Sequence, residues 1–579
     1  MDKGDIASGS CSDMRKKLKL DDSVVDEEVV VDEKTFHNAM ARWLISDGIS
    51  PNIITRPSCA KFINCLSPNF PPSVSEVNKE ILEIHEEYKE KAKKFLKGFQ
   101  GQLTLSYEWM VLSDEWTRDY VKGPVLHEDF VCLTAHFVDD NWKMKKWILG
   151  YTTDKNVPIE DVNIYPFTDA VQDFEIESKV STLLLPVDLD FDEETLEPFR
   201  KWIEERGSNQ INPRVLLLYC CTDLFRLMVD DVFDDLSGSL LEDVRMLVGW
   251  GRLSPTNWNI SLSNLQRAVD MKNDDEFSKD EDYDDYDKPS DEDWIKIQTF
   301  CKLAGCIYKV TKELFQGEYP TSNVFFHLLA ELKVMLKQEL ESADNDYFIR
   351  KAKQILKRFD RYWNNMFLVL ATACVLDPRF KVKYLEFYCS KEVNVEGSKA
   401  ETVLDYLRNQ CARYAASEIS QNPICPVATI ESDSEKEHDD DEGEEDEGEE
   451  EQYDNEVKEE QKDKEEKKPD AYEEFVLFQE YLTFEGFPRE LHESELDSYL
   501  REPVMEWNKD FKALEWWKEE SQKYPILSRV ARDILSIPIS RATSWDAYVA
   551  DKREPPEFVL SLEPKITNAM MCTKEWLSL

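Results

Sequence analysis

The sequence predicts a mixed α/β sheet followed by a long all-α region, with two acidic stretches set apart from both. Three observations carry this reading. Apolar residues alternate with period two at several places between residues 103 and 219. After about residue 235 they recur instead at helical spacing. Charge is concentrated in two windows: Glu431–Lys468 holds 22 acidic and 6 basic residues, and Asp274–Asp293 holds 12 acidic and 2 basic residues, in a chain of formal net charge −48.

The composition bounds the function classes. This balance excludes a generally basic protein that coats nucleic acid. No apolar run reaches 18 residues, so no membrane-spanning helix is expected. Met1 to Ser23 has no apolar stretch after its basic residues and does not read as a secretory signal. With 41% hydrophobic residues and 15 Trp, the chain has the apolar area for a large core. Its 13 Cys and 7 His include no CxxC pair and no closely spaced His pair, so no local zinc site and no cofactor are expected. The acidic windows bury too little apolar surface to offset ordering entropy and are read as disordered. The alternative weighed for them is an electrostatic bait for histones or other basic partners.

The elements follow in order. Residues 1–32 carry one basic cluster, Arg15, Lys16, Lys17 and Lys19, of the kind a nuclear import receptor binds; the expected compartment is the nucleus. Thr35 to Leu66 patterns as short helices. After Pro71-Pro72-Ser73, the residues Val77, Ile81, Ile84, Tyr88, Ala92 and Phe95 step by three or four and predict a packing helix. Its lysines Lys89, Lys91, Lys93, Lys94 and Lys97 read as an exposed face, with a local basic patch as the alternative. At Leu103, Leu105 and Tyr107 the period changes to that of a strand. Phe130–Val138 and Lys146–Tyr151 flank the Asp140-Asn141 turn, so three antiparallel strands form a meander. Ser181–Val187, the helical Glu194–Glu204, Arg214–Tyr219 and the helical Leu224–Phe233 then alternate, which requires a parallel portion. Beyond it, Trp294–Leu314, Val324–Leu340 and Tyr347–Tyr362 are helical, as are Ala471–Leu482 and Phe511–Trp517. Leu527, Val530, Ala531, Ile534 and Leu535 form another helix face that stops at Pro538, and Lys565–Leu577 closes the chain as a helix.

Several of these segments carry a resemblance. Leu103-Thr104-Leu105-Ser106-Tyr107-Glu108-Trp109, Cys132–Asp139, Tyr319–Asn323, Phe359-Asp360-Arg361-Tyr362-Trp363 and Val375–Lys381 resemble hAT-family transposases of the plant Ac/Daysleeper/Ricesleeper type. Leu514–Trp517, Lys523–Leu527 and Ala531–Ser540 resemble that family's dimerisation region. The likeness is colinear over residues 33–579. It implies an α/β RNase H-like domain interrupted by a large all-α insertion domain, with disordered acidic segments. The boundaries expected are 1–32, a disordered N-terminus; 33–100, helical; 101–235, the RNase H-like core; 236–430, the insertion with its acidic loop 274–293; 431–470, acidic; and 471–579, a dimerisation region that completes the core.

The same resemblance frames the chemistry. Active members hold two divalent ions on three carboxylates, which activate the attacking oxygen and stabilise the leaving one. Mapped onto this chain, the first carboxylate position is Tyr107 and the third is Trp545, while Asp188 keeps the second. Glu108 and Asp546 are each one residue off, which turns them to another face of a strand or a helix. A Cys-x-x-His motif becomes Cys220-Cys221-Thr222-Asp223, and an Arg-Trp pair becomes Asn257-Trp258. For Trp258, stacking on an extruded base is weighed against burial in a core. Residues 1–34 hold one Cys and no His, so no BED zinc finger lies there. The expectation is a catalytically inactive, nuclear, dimerising interaction module, associated with DNA or chromatin. A sequence-nonspecific DNA-binding regulator and an active transposase are the alternatives. Dimerisation is expected through Trp516, Trp517, Leu527, Ile534, Leu535 and Trp576, although the same residues could close the intramolecular core.

Overall fold

A computed structural model describes residues 32–66, 71–111, 129–153, 165–186, 193–207, 211, 213–248, 258–274, 288–315, 322–391, 398–421, 471–485, 494–541, 560 and 562–579. Helix α1 (Glu33–Asp47) starts on Asp32, whose carboxylate accepts the Thr35 N–H, and ends on Gly48, which adopts φ 63°. A short 3₁₀ turn leads to α2 (Pro57–Leu66). The stepping apolar residues produce α3 (Val74–Gly98), opened by a capping box between Ser73 and Glu76.

The sheet follows. Its strands are β1 (Leu103–Val111), β2 (Asp129–Val138) and β3 (Met144–Thr153), then β4 (Val180–Leu185) and β5 (Leu216–Tyr219). Their spatial order is β3-β2-β1-β4-β5. The first three pair antiparallel, and β1–β4 and β4–β5 pair parallel. Helix α4 (Tyr165–Asp173) precedes β4, and α5 (Glu193–Gly207) crosses from β4 to β5. A helix this long is what a parallel connection needs.

After β5 come α6 (Cys221–Phe233), α7 (Gly238–Val248), α8 (Trp258–Asn273), α9 (Asp291–Leu314), α10 (Ser322–Glu341), α11 (Asp346–Val375), α12 (Lys381–Lys391) and α13 (Ser398–Gln421). The last group is α14 (Ala471–Glu474), α15 (Val476–Leu482), α16 (Glu495–Arg501), α17 (Ala513–Glu519), α18 (Pro525–Leu535) and α19 (Pro564–Trp576). One expectation changes here. Asp291, Glu292 and Asp293, read as the end of a disordered acidic stretch, form the first turn of α9, with Ser290 and Asp293 closing a capping box. Carboxylates at a helix N-terminus meet its positive dipole end and stabilise that turn. Residues 275–287 and 431–468 lie outside the described residues.

Two hydrophobic clusters meet at the sheet. Leu183 and Leu185 of β4 join one, with Leu44 of α1, Ile81 and Ile84 of α3 and Trp576 of α19. Leu184 joins the other, which runs through α6, α9, α10, α11, α13 and α18. Successive strand residues point to opposite faces, so one buried strand serves both cores. The final helix α19 packs against β3 and α3, so the end of the chain closes a layer begun by its start.

Candidate functional site

The parallel strands bring the ends of β4 and β5 to one edge, beside β1. Cys220 donates its N–H to the Leu185 carbonyl at 2.8 Å, and Cys221 donates to the Ile539 carbonyl at 3.0 Å. The second bond ties the segment after α18 to the head of α6. Around it, the Ser540 and Thr222 hydroxyls lie 3.3 Å apart, and Cys220 Sγ is 2.8 Å from Thr222 Oγ1. Burial pushes the Cys221 thiol well up, so it is an inert packing group.

This tether carries Arg541 across the strand ends. Its Nη2 donates to Asp223 Oδ2 at 2.6 Å, and its Nη1 donates to the Tyr107 carbonyl at 3.2 Å. Both side chains of the ion pair are largely buried. Burial works to lower the guanidinium pKa, but Asp223, Cys220 and Glu108 together outweigh it and the net shift is upward. The guanidinium therefore stays protonated, balanced by the Asp223 carboxylate. Tyr107 is half-buried in β1, opposite Leu133 of β2.

Asp188, Trp545 and Asp546 lie outside the described residues, as does Asn257. Among the described residues no group of three His, Cys, Asp or Glu side chains could hold a metal ion. What the structure brings together is Tyr107, Asp223 and Arg541. Arg541 is the counter-ion of Asp223, so the carboxylate beside the strand ends is already neutralised from within the chain. Arg541 itself has no signal in the sequence: it is a single basic residue after an apolar helix, and its partners lie 318 and 434 residues away.

The other expected site residues divide clearly. Trp258 is 3% exposed and meets Tyr308 edge-on at 6.0 Å, so it is a core residue with no face left for a base. The residues expected at a dimer surface pack inside the chain. Trp517 is fully buried and donates its indole N–H to the Leu376 carbonyl at 2.7 Å. Trp576 is fully buried and stacks on His85 at 5.5 Å. Leu527, Ile534 and Leu535 are buried, and Trp516 is partly buried against Trp517. Five of the six therefore serve the intrachain core, the alternative that the sequence left open, while Trp516 keeps some exposed area. The lysine face of α3 is likewise largely consumed: Lys89 and Lys93 pair with Asp173 at 2.5 Å, Lys97 with Glu175 at 2.8 Å and Lys91 with Glu87 at 2.7 Å. Arg15, Lys16, Lys17 and Lys19 lie outside the described residues.

A second buried polar group went unseen in the sequence. Arg379 donates to Asp377 Oδ1 and Oδ2 and to the Asn508 carbonyl, under the rings of Trp507 and Phe511. Lys381, at φ 49°, donates Nζ to the carbonyls of Tyr499 at 2.6 Å and Glu502 at 3.0 Å. These two cations pin residues 499–508 to the start of α12.

Comparison with known proteins matches three segments of this chain. Residues 495–577 match the model of the hAT family C-terminal dimerisation region, 323–414 that of the hAT-like transposase, RNase-H fold, and 125–195 that of the ZBED1 RNase-like domain. The last match spans β2 to β4, whereas 323–414 falls on helices α10 to α13 and not on the sheet. Over 571 residues the chain is 25% identical to Zinc finger BED domain-containing protein RICESLEEPER 2 of Oryza sativa subsp. japonica, covering 93% of this chain and 74% of that one. It is 24% identical over 570 residues to Zinc finger BED domain-containing protein DAYSLEEPER of Arabidopsis thaliana, covering 93% and 73%.

Proposed function

We propose, for a chain whose kinship with hAT-transposase-type proteins runs along most of its length, a catalytically silent, self-associating nuclear protein that serves as an interaction module on chromatin. The observation that carries the catalytic half is the Arg541–Asp223 pair against the Tyr107 carbonyl. A two-metal mechanism needs converging carboxylates that the ions neutralise. Here a guanidinium supplies the positive charge, and a phenol stands at the strand position where the first carboxylate is expected. In this reading helices α7 to α13 form an all-α insertion within an RNase H-like unit. Self-association rests on the match of residues 495–577 to a dimerisation region.

The test uses the purified full chain, supercoiled plasmid and Mg²⁺ or Mn²⁺. The expected result is no nicking and no strand transfer above a metal-free control. Metal-dependent nicking that Asp188→Ala abolishes would overturn the catalytic half. The second reading, a sequence-nonspecific DNA-binding regulator, is favoured by one surface, the exposed side of α11.

A further inference from the structure

We infer that the exposed face of α11 is a docking ridge for the phosphate backbone of duplex DNA. The inference rests on the chromatin-association half of the proposed function and gives it a location. Helix α11 runs 30 residues and buries Phe348, Ala352, Ile355, Phe359, Tyr362 and Trp363. On its other side Arg350, Lys353, Lys357 and Arg361 are all exposed. Steps of three, four and four residues place them within an arc of about 80° and a length of about 16 Å. Asn364 and Asn365, also exposed, extend the row.

The acids beside the ridge are engaged elsewhere. Asp231 accepts from Arg358 at 2.7 Å and from Gln354 at 2.9 Å. Asp235 pairs with Lys351 at 2.7 Å, and Asp360 with Lys333 at 3.1 Å. Arg350 reaches Asp235 only at 3.9 Å. Lys353, Lys357 and Arg361 make no ion pair among the described residues, whereas the lysines of α3 are mostly tied down. Asp346, one turn before Arg350, is a further carboxylate on this side. Four cations held together on one rigid helix repel one another until a polyanion neutralises them. Lys, Arg and Asn are the side chains that contact phosphate oxygens. No exposed aromatic lies in the row to stack on a base, which favours a duplex backbone over a single strand.

The test measures fluorescence anisotropy of a random 30-base-pair duplex with the full chain between 25 and 200 mM salt. It compares wild type, K353E/K357E/R361E, the milder K353Q/K357Q/R361Q, and the control K34E/K79E/K565E, which makes the same charge change on exposed lysines elsewhere. The expected result is that both ridge variants lower the slope of log K against log salt by about 3, roughly 0.9 per lost phosphate contact, while the control keeps the wild-type slope. The glutamine variant should keep the wild-type thermal transition, which separates lost contacts from lost folding. A control that loses as much as the ridge variants overturns the ridge, as does a polyglutamate chain that displaces the duplex at equal charge. If wild type binds and the ridge variants match it, the ridge falls and DNA association stands. If wild type does not bind at 25 mM salt, both fall, and the catalytic half of the proposed function is untouched.

Discussion

At the scale of single residues, Arg541 and His85 show what burial does to charge. Arg541→Met leaves Asp223 in a low-dielectric edge without its cation, and the expected cost is about 3–5 kcal/mol, read as a lower urea midpoint. Adding Asp223→Asn should recover most of that loss; an unchanged midpoint in the double variant would mean the pair is not what holds this edge. His85 is buried against Trp576, with Nδ1 3.0 Å from Thr573 Oγ1. Burial lowers its pKa from 6.5 to about 4. Between those values the unfolded chain binds the extra proton, so stability rises with pH across this window and is lost as pH falls from 6.5 to 4. The expected outcome is that His85→Gln flattens the difference in unfolding free energy between pH 6.5 and 4 relative to wild type. His327, lowered to about 3 by burial, acts in the same direction, whereas Glu331, raised to about 7 by burial, acts oppositely between 4.5 and 7. For that reason the comparison is made as a difference between two proteins.

At the scale of elements, local rules and tertiary anchors divide the work. The Ser73 and Ser290 capping boxes are local, a Ser followed three residues later by Glu or Asp, although the acidic charge around Ser290 hid the second. The link between α12 and the segment after α16 is tertiary. Lys381→Met removes the donor from two carbonyls, those of Tyr499 and Glu502, and should cost about 2–3 kcal/mol. Limited proteolysis should then cut within residues 503–512 earlier than in wild type; an unchanged cleavage pattern would show that Arg379 alone holds the segment. Burial also lowers the Lys381 pKa to about 8 from 10.5, so its contribution to stability rises as pH increases through that interval. Strand and helix types were legible because their periods differ. The five strands fall where alternation or apolar runs placed them, within a few residues at their ends. Helices α4, α7, α8, α12, α13 and α16 were not placed individually, because their apolar spacing does not stand out from the sequence around them.

At the scale of the whole molecule, the decisive feature is that the last helices serve the intrachain core. Trp576→Ala should therefore lower thermal stability by about 3–5 kcal/mol without selectively weakening self-association. Sedimentation velocity over a concentration series checks this. The wild-type chain should dimerise, and a variant that folds yet stays monomeric would return Trp576 to the contact surface. By itself the sequence determined the order of strands and helices, the family resemblance and the concentration of acid in two windows. These follow from residue type and spacing along the chain. Tertiary structure alone decided that Trp258, Trp517 and Trp576 are core residues, that the α3 lysines are mostly paired, that α11 keeps its cations exposed, and that Arg541 lies over the strand ends. An apolar or charged side chain is the same letter whether a distant segment covers it or not. Burial and pairing depend on partners up to 434 residues away, as the bond from Arg541 to Tyr107 shows.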